Sequence, residues 1–206
     1  MSESARKIGS FTYGDYRRWP DEERWELIDG EAWDMSPAPT RPHQQMVVEL
    51  TTQIHDHLRD KPCEVYSAPF DVRLPRADEA DDEVDDVVQP DISVICDATK
   101  LDNAGCRGAP DWVIEVLSPR TAVKDQTVKR DLYERNGVRE YWLVHPTDRV
   151  LIIYRLVDGA YGKPHVQGLT GETPVGVVDG LAIRWADEPD EDRRLQARSE
   201  SALTQR

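Results

Sequence analysis

The chain has 206 residues, enough to bury one sizeable core, whereas two domains would each be small. Forty acidic residues against 26 lysines and arginines give a net charge of −14, which excludes a uniformly basic nucleic-acid-binding surface and leaves any phosphate contact to a local patch. No stretch approaches the roughly 18 consecutive apolar residues that span a bilayer, and MSESARKIGS lacks an apolar leader core, so a cytoplasmic protein with no membrane partner is expected.

Residues 1–9 read as a flexible N-terminus ahead of one domain over 10–185. Trp25–Ile28 and Glu31–Met35 flank Asp29-Gly30, a pair that tolerates the positive φ angles of a two-residue turn, so the domain opens on a β-hairpin. After a proline-rich link, Met46, Val47, Leu50, Ile54 and Leu58 recur at helical spacing and predict a helix ending near Asp60. Cys63, Cys96 and Cys106 are odd in number and lack CxxC spacing, so they read as reduced thiols.

Short β-prone runs follow at 64–67 and 70–74. The segment 76–88 carries seven acids against one arginine and reads as a mobile, solvated acidic loop. Ile92–Ile95 and Trp112–Val116 are β-prone and almost wholly apolar, which suits central strands buried on both faces. Thr121–Asn136 has helical character, with Val123, Val128, Leu132 and Tyr133 as its apolar stripe and Gly137 as its C-cap. Tyr141–His145 pairs with Val150–Leu156, and a weaker final strand pair forms around Val166 and Ile183. From 186 to 206 the apolar pattern fades into a tail expected to be disordered. The sum is an α/β fold with a mixed central sheet flanked by helices.

Two carboxylates stand where apolar strands would not place them by chance. Asp91 follows Pro90 at the entrance of one buried strand, and Glu115 lies inside the next, so adjacent strands bring the pair together. Paired buried carboxylates call for a compensating cation, and oxygen ligands of this kind suit Mg²⁺ or Mn²⁺. Lys124 and Lys129, on the helix after the second strand, are candidates for stabilising charge on a phosphate. His43 at the start of the first long helix can reach an active-site mouth, whereas His55 and His57, two apart, face different sides. Glu26 and Glu49 are alternatives for a third carboxylate, each equally readable as solvent-facing. Ser118–Arg139 holds six cationic residues against three acids, so a locally basic face is compatible with the acidic whole. The absence of GxxxxGK[ST], GxGxxG, HExxH and GxSxG removes the usual support for nucleotide-binding, zincin and serine-hydrolase readings.

The ordered blocks WELIDGEAWDMSPAP, His43, QPDISVI, PDWVIEVLSP and Lys129 through GVREYWLVHP resemble the Uma family of predicted restriction endonucleases, in the PD-(D/E)XK nuclease superfamily. The resemblance covers roughly residues 10 to 185 and implies a restriction-endonuclease-like fold with a Mg²⁺-dependent nuclease site. By position, Asp91 matches the family's PD aspartate and Glu115 its second acid. The usual lysine two residues later is replaced by Leu117, and the family's helix lysine matches Lys129; Glu26 and His43 match further recurrent polar positions.

The functional expectation is therefore a metal-dependent endonuclease acting on DNA, with Asp91 and Glu115 as metal ligands, Lys129 assisting the attacking water, and Glu26 and His43 shaping the site. Pairing of two copies into a homodimer is compatible with cutting both strands. The alternative is a non-catalytic binding or regulatory module that keeps the nuclease fold, motivated by the acidic balance and by Leu117. An acidic loop just upstream of Asp91 also suggests an electrostatic gate against phosphate.

Overall fold

A computed structural model describes residues 6–7, 9–20, 23–35 and 39–186. Alternating β-prone runs and turn residues give many short strands, arranged as two seven-stranded sheets and one small two-stranded sheet. The first sheet holds β1 (Arg6–Lys7), β2 (Trp25–Ile28), β3 (Glu31–Asp34), β5 (Val72–Arg73), β6 (Val87–Val88), β8 (Leu101–Asp102) and β9 (Gly105–Arg107), in the order β1-β3-β2-β6-β5-β9-β8. The second holds β4 (Glu64–Ser67), β7 (Ile92–Ile95), β10 (Trp112–Val116), β11 (Glu140–His145), β12 (Val150–Val157) and β13 (Ala160–Tyr161), in the order β13-β12-β11-β10-β7-β4, with β14 (His165–Gly168) also paired to β12. The small sheet pairs β15 (Glu172–Pro174) with β16 (Ala182–Arg184).

The expected hairpin forms as β2 and β3, and its turn residues Asp29 and Gly30 take φ of 51° and 74°. Besides the short α1 (Tyr13–Tyr16), α2 (Arg41–Leu58) is the first long helix. Its stripe Leu50, Ile54 and Leu58 is buried at four-residue intervals, and it stops where Asp60 turns to φ 68°. The second long helix, α3 (122–135), is continuous but contains a π-helical turn over Asp125–Lys129.

Strand β10 is the keystone of the second sheet, parallel to β11 through α3 and antiparallel to β7. Its alternate side chains fill two cores. Trp112, Ile114 and Val116 join α2 and the β15–β16 region on one face, and Val113 joins Tyr133, Tyr141 and the first sheet on the other. The sheet is thus mixed and buried on both sides, as the continuous apolar runs predict.

Four expectations need correction. Cys63 and Cys96 are joined by a disulfide, because the antiparallel pair Glu64↔Ile95 places the adjacent cysteines opposite one another, with Cα atoms 3.9 Å apart; only Cys106 is a free thiol. The strand around Val166 pairs with β12 rather than with the strand around Ile183. Arg6–Lys7 pair with β3 instead of trailing as part of a flexible end, and residues 1–5, 8 and 187–206 lie outside the described residues.

The acidic segment, fourth, is a solvated loop only over part of its length: residues 76–83 are mostly exposed, whereas Val84 and 86–88 are buried. Val84 and Val87 are buried against Tyr13, Leu27 and Ala32, and its acids meet arginines. Asp86 is fully buried and accepts from the Asp29 N–H at 2.7 Å and from Arg135 at 2.9 Å, Arg73 reaches Asp81 at 2.8 Å, and Arg17 pairs with Asp82. Val84, Val87 and Val88, set among the acids and unread in the sequence, made this possible. No described helix is long and apolar enough to cross a membrane.

Ile54, fully buried in the α2 stripe, sets the expected energetic scale. Ile54→Ala should lower unfolding free energy by about 2–5 kcal/mol in urea titration, while exposed His55→Ala stays within about 0.5 kcal/mol.

Candidate active site

The antiparallel register Ile114↔Ile92, carried one step further, sets Asp91 opposite Glu115. The backbone N–H of Val116 donates to Asp91 Oδ2 at 2.8 Å, and the N–H of Asp91 donates to Glu115 Oε2 at 3.3 Å. His43, at the first turn of α2, brings its Nε2 to 3.0 Å from the same Asp91 Oδ2. The Asp91 side chain stays one-fifth exposed, whereas that of Glu115 is 5% exposed.

Behind this pair lies a buried ionic network. Lys129 Nζ is 2.8 Å from Glu115 Oε1 and 2.7 Å from Glu26 Oε1, and Lys124 Nζ is 2.6 Å from Glu26 Oε2. Tyr133 donates its hydroxyl to Glu115 Oε1 at 2.9 Å, the Gln89 N–H donates to Glu26 Oε1 at 2.9 Å, and Asp125 stands 4.0 Å from Lys129. Residues five apart on a regular α-helix point about 140° from each other. The π turn narrows that angle, so that Lys124 and Lys129 reach the two oxygens of one carboxylate.

Burial works against ionisation of Glu26, but Lys124 and Lys129 outweigh it and pull its pKa down to about 2. For Glu115, burial dominates; Lys129 opposes it, Asp125, Asp91 and Glu26 reinforce it, and the pKa is held up at about 8. Burial also raises Asp125, to about 6, against Lys129 and Lys124. Burial works against the charge on Lys129, but Glu115, Glu26 and Asp125 outweigh it and raise its pKa well above the usual lysine value.

All five expected site residues come together here. Asp91, Glu115, Lys129 and His43 line a cavity of about 460 Å³, and Glu26 lies fully buried beneath them. Lys124 also lines the cavity, so both candidate lysines belong to the cluster. Glu49 does not: it is exposed and bonded to Gln45. The expected basic face is largely spent on ion pairs: Arg130 with Asp131, Arg135 with Asp29 and Asp86, and Arg139 with Asp111. None of residues 76–88 lines the cavity, so the structure gives the acidic segment no direct contact with it. Sequence reasoning missed Asp125 and Gln89 and took Tyr133 for packing alone. The usable signal was Asp125, Lys129 and Tyr133 recurring every four residues on one helix face.

Four carboxylates, Glu26, Asp91, Glu115 and Asp125, surround two ammonium groups, leaving acid in excess. Among the described residues no group of three or more His, Cys, Asp or Glu side chains is arranged to hold a metal ion. A site built on two carboxylates and waters does fit. Asp91 Oδ2 and Glu115 Oε1 are occupied, but Asp91 Oδ1 accepts no hydrogen bond among the described residues and Glu115 Oε2 accepts only the long one from Asp91. Two hard oxygens in an acidic setting suit Mg²⁺ or Mn²⁺, which retain several waters.

Comparison with known proteins gives the family and the fold. A family model described as "Uma2: Putative restriction endonuclease" matches residues 13–186. An uncharacterized protein of Synechocystis sp. is 27% identical over 147 residues, 70% of this chain and 73% of that protein. The crystal structure of a "putative nuclease belonging to DUF820" from Anabaena variabilis superposes with a TM-score of 0.63 at 21% identity, covering 80% of this chain and 89% of that one. The shared architecture is the mixed α/β, restriction-endonuclease-like fold.

Lys129→Met should destabilise the protein by about 3–5 kcal/mol in urea unfolding, because it strands buried Glu26 and Glu115 without their shared cation. A second expectation concerns pH. The folded, metal-free chain holds a proton on Glu115 up to about 8 that the unfolded chain releases near 4.5, so the unfolded state binds fewer protons between those values. Stability should therefore fall as pH rises through that window, and Glu115→Gln should flatten the slope, read from urea midpoints across the range.

Proposed function

The chain belongs to the Uma2 family, whose description is "Putative restriction endonuclease", and from that premise we propose that it is a metal-dependent endonuclease hydrolysing DNA phosphodiester bonds. The observation that carries the reading is the Asp91–Glu115 pair at the cavity, in which Asp91 Oδ1 accepts no hydrogen bond among the described residues and Glu115 Oε2 accepts only the long one from the Asp91 N–H. Those oxygens would hold Mg²⁺ or Mn²⁺, which when bound polarises a phosphoryl oxygen and acidifies a water.

The remaining roles belong to the chain's own groups. Lys129 fixes Glu115 and Glu26 and sets a permanent positive charge beside the scissile position, where it assists the attacking water and offsets charge developing on phosphate. Lys124 spends one donor on Glu26 and turns its remaining donors to the cavity. His43 holds Asp91 Oδ2, which leaves Oδ1 for the metal side. Tyr133 locks the rotation of the Glu115 carboxylate by bonding the same oxygen as Lys129.

Purified protein should nick and linearise plasmid DNA with Mg²⁺ or Mn²⁺, with loss in EDTA. Asp91→Ala and Glu115→Gln should lower the rate on the order of a hundredfold or more while retaining wild-type circular dichroism. Equal cutting by both variants would sink the assignment. No divalent-ion binding at millimolar concentration in calorimetry would favour a non-catalytic module on the same fold.

A further inference from the structure

The cations around the cavity are not equally engaged. Lys124 and Lys129 are tied to Glu26 and Glu115, and Arg120 stands 4.0 Å from Asp34. Arg24, immediately before β2, lines the same cavity but has no carboxylate at ion-pair distance among the described residues. One of its terminal amino groups donates to Gln89 Oε1, a neutral acceptor, at 2.8 Å. Its Nε is buried and has no hydrogen-bond partner among the described residues. The acid that feels its charge, Asp71, is already held by the Tyr16 hydroxyl at 3.2 Å and the Gln89 amide at 2.8 Å.

A guanidinium carries five N–H donors in a rigid fork that matches two oxygens of a phosphate, and among the described residues Gln89 is the one acceptor that the terminal amino groups of Arg24 meet, which leaves terminal donors for a ligand at the cavity. Gln89 fixes the fork to the stretch of chain that carries Asp91 two residues on, and its own N–H is fixed to Glu26. The guanidinium is thus pre-set on the wall beside the two metal-ligand candidates. We propose that Arg24 binds a backbone phosphate of the nucleic-acid substrate and seats the strand against Asp91 and Glu115. This rests on the nuclease reading and names the group that anchors its substrate; a role confined to orienting Gln89 is the competing explanation.

The test is binding, not cleavage. A short labelled DNA oligonucleotide is titrated by fluorescence anisotropy with Ca²⁺ as the only divalent ion, using wild type, Arg24→Gln and Arg24→Lys, and using oligonucleotides with one phosphate at a time replaced by neutral methylphosphonate. Arg24→Gln should weaken binding roughly tenfold or more and reduce the salt slope by about one, and Arg24→Lys should recover the slope. At one position the methylphosphonate should weaken wild type but not Arg24→Gln. Equal affinity of wild type and Arg24→Gln, or additive effects at every position, overturns the proposal alone. A wild type that binds no DNA overturns the nuclease reading with it. If Arg24→Gln does not fold by circular dichroism, the same scan on Arg24→Lys decides: altered coupling at one position supports the assignment, and none overturns it.

Discussion

A lysine ammonium buried among carboxylates holds this molecule's functional end together. Lys129 is 3% exposed, and a cation so placed persists only when partners at contact distance repay its lost hydration. Those partners come from different layers: Glu26 from β2 of the first sheet and Glu115 from β10 of the second, with Lys129 itself on α3. One charge therefore staples three elements that hydrophobic packing alone would hold with less orientational precision. It also explains why so apolar a strand as β10 tolerates an acid at its centre.

The second constraint is strand pairing. Because β7 and β10 run antiparallel, the end of one lies beside the end of the other, and Asp91 and Glu115 meet without any helix or loop having to deliver them. Alternation then assigns the acids to the face occupied by α3, while Ile92, Ile114 and Val116 pack towards α2. His43 reaches Asp91 from the opening turn of α2, so the cavity is walled by elements from both cores. Rigid strands carry the carboxylates and a helix carries the cations, an arrangement that limits reorganisation when charge develops on a substrate.

Allocation of charge reconciles the acidic composition with the proposed phosphodiester substrate. Much of the density in 76–88 is paired with Arg17, Arg73, Arg76, Arg107 and Arg135, so it acts as mortar between the hairpin, the first sheet and α3 rather than as a repulsive screen at the cavity. Ion pairs also engage Arg130, Arg135 and Arg139 of the basic stretch 118–139, which would leave recognition of a phosphate to the few cations that face the cavity.

By itself the sequence located the two long helices and the central strands and drew attention to Asp91 and Glu115 as candidate acids. Hydrophobic period located α2, β7 and β10 to within a residue or two, Asp29-Gly30 located the hairpin, and an isolated carboxylate in an apolar strand marked Glu115, because each of these signals is local and physical. Family blocks supplied Lys129, Glu26 and His43, for which spacing alone offered no choice over Glu49. Only tertiary structure decided the rest. The Cys63–Cys96 bond depends on strand register that joins cysteines 33 residues apart, the anchoring of the acidic segment depends on arginines scattered from Arg17 to Arg135, and the convergence of Lys124 and Lys129 on Glu26 depends on a π turn that no composition announces. Each of these is a long-range contact or a small backbone irregularity, and neither leaves a periodic trace in a single chain.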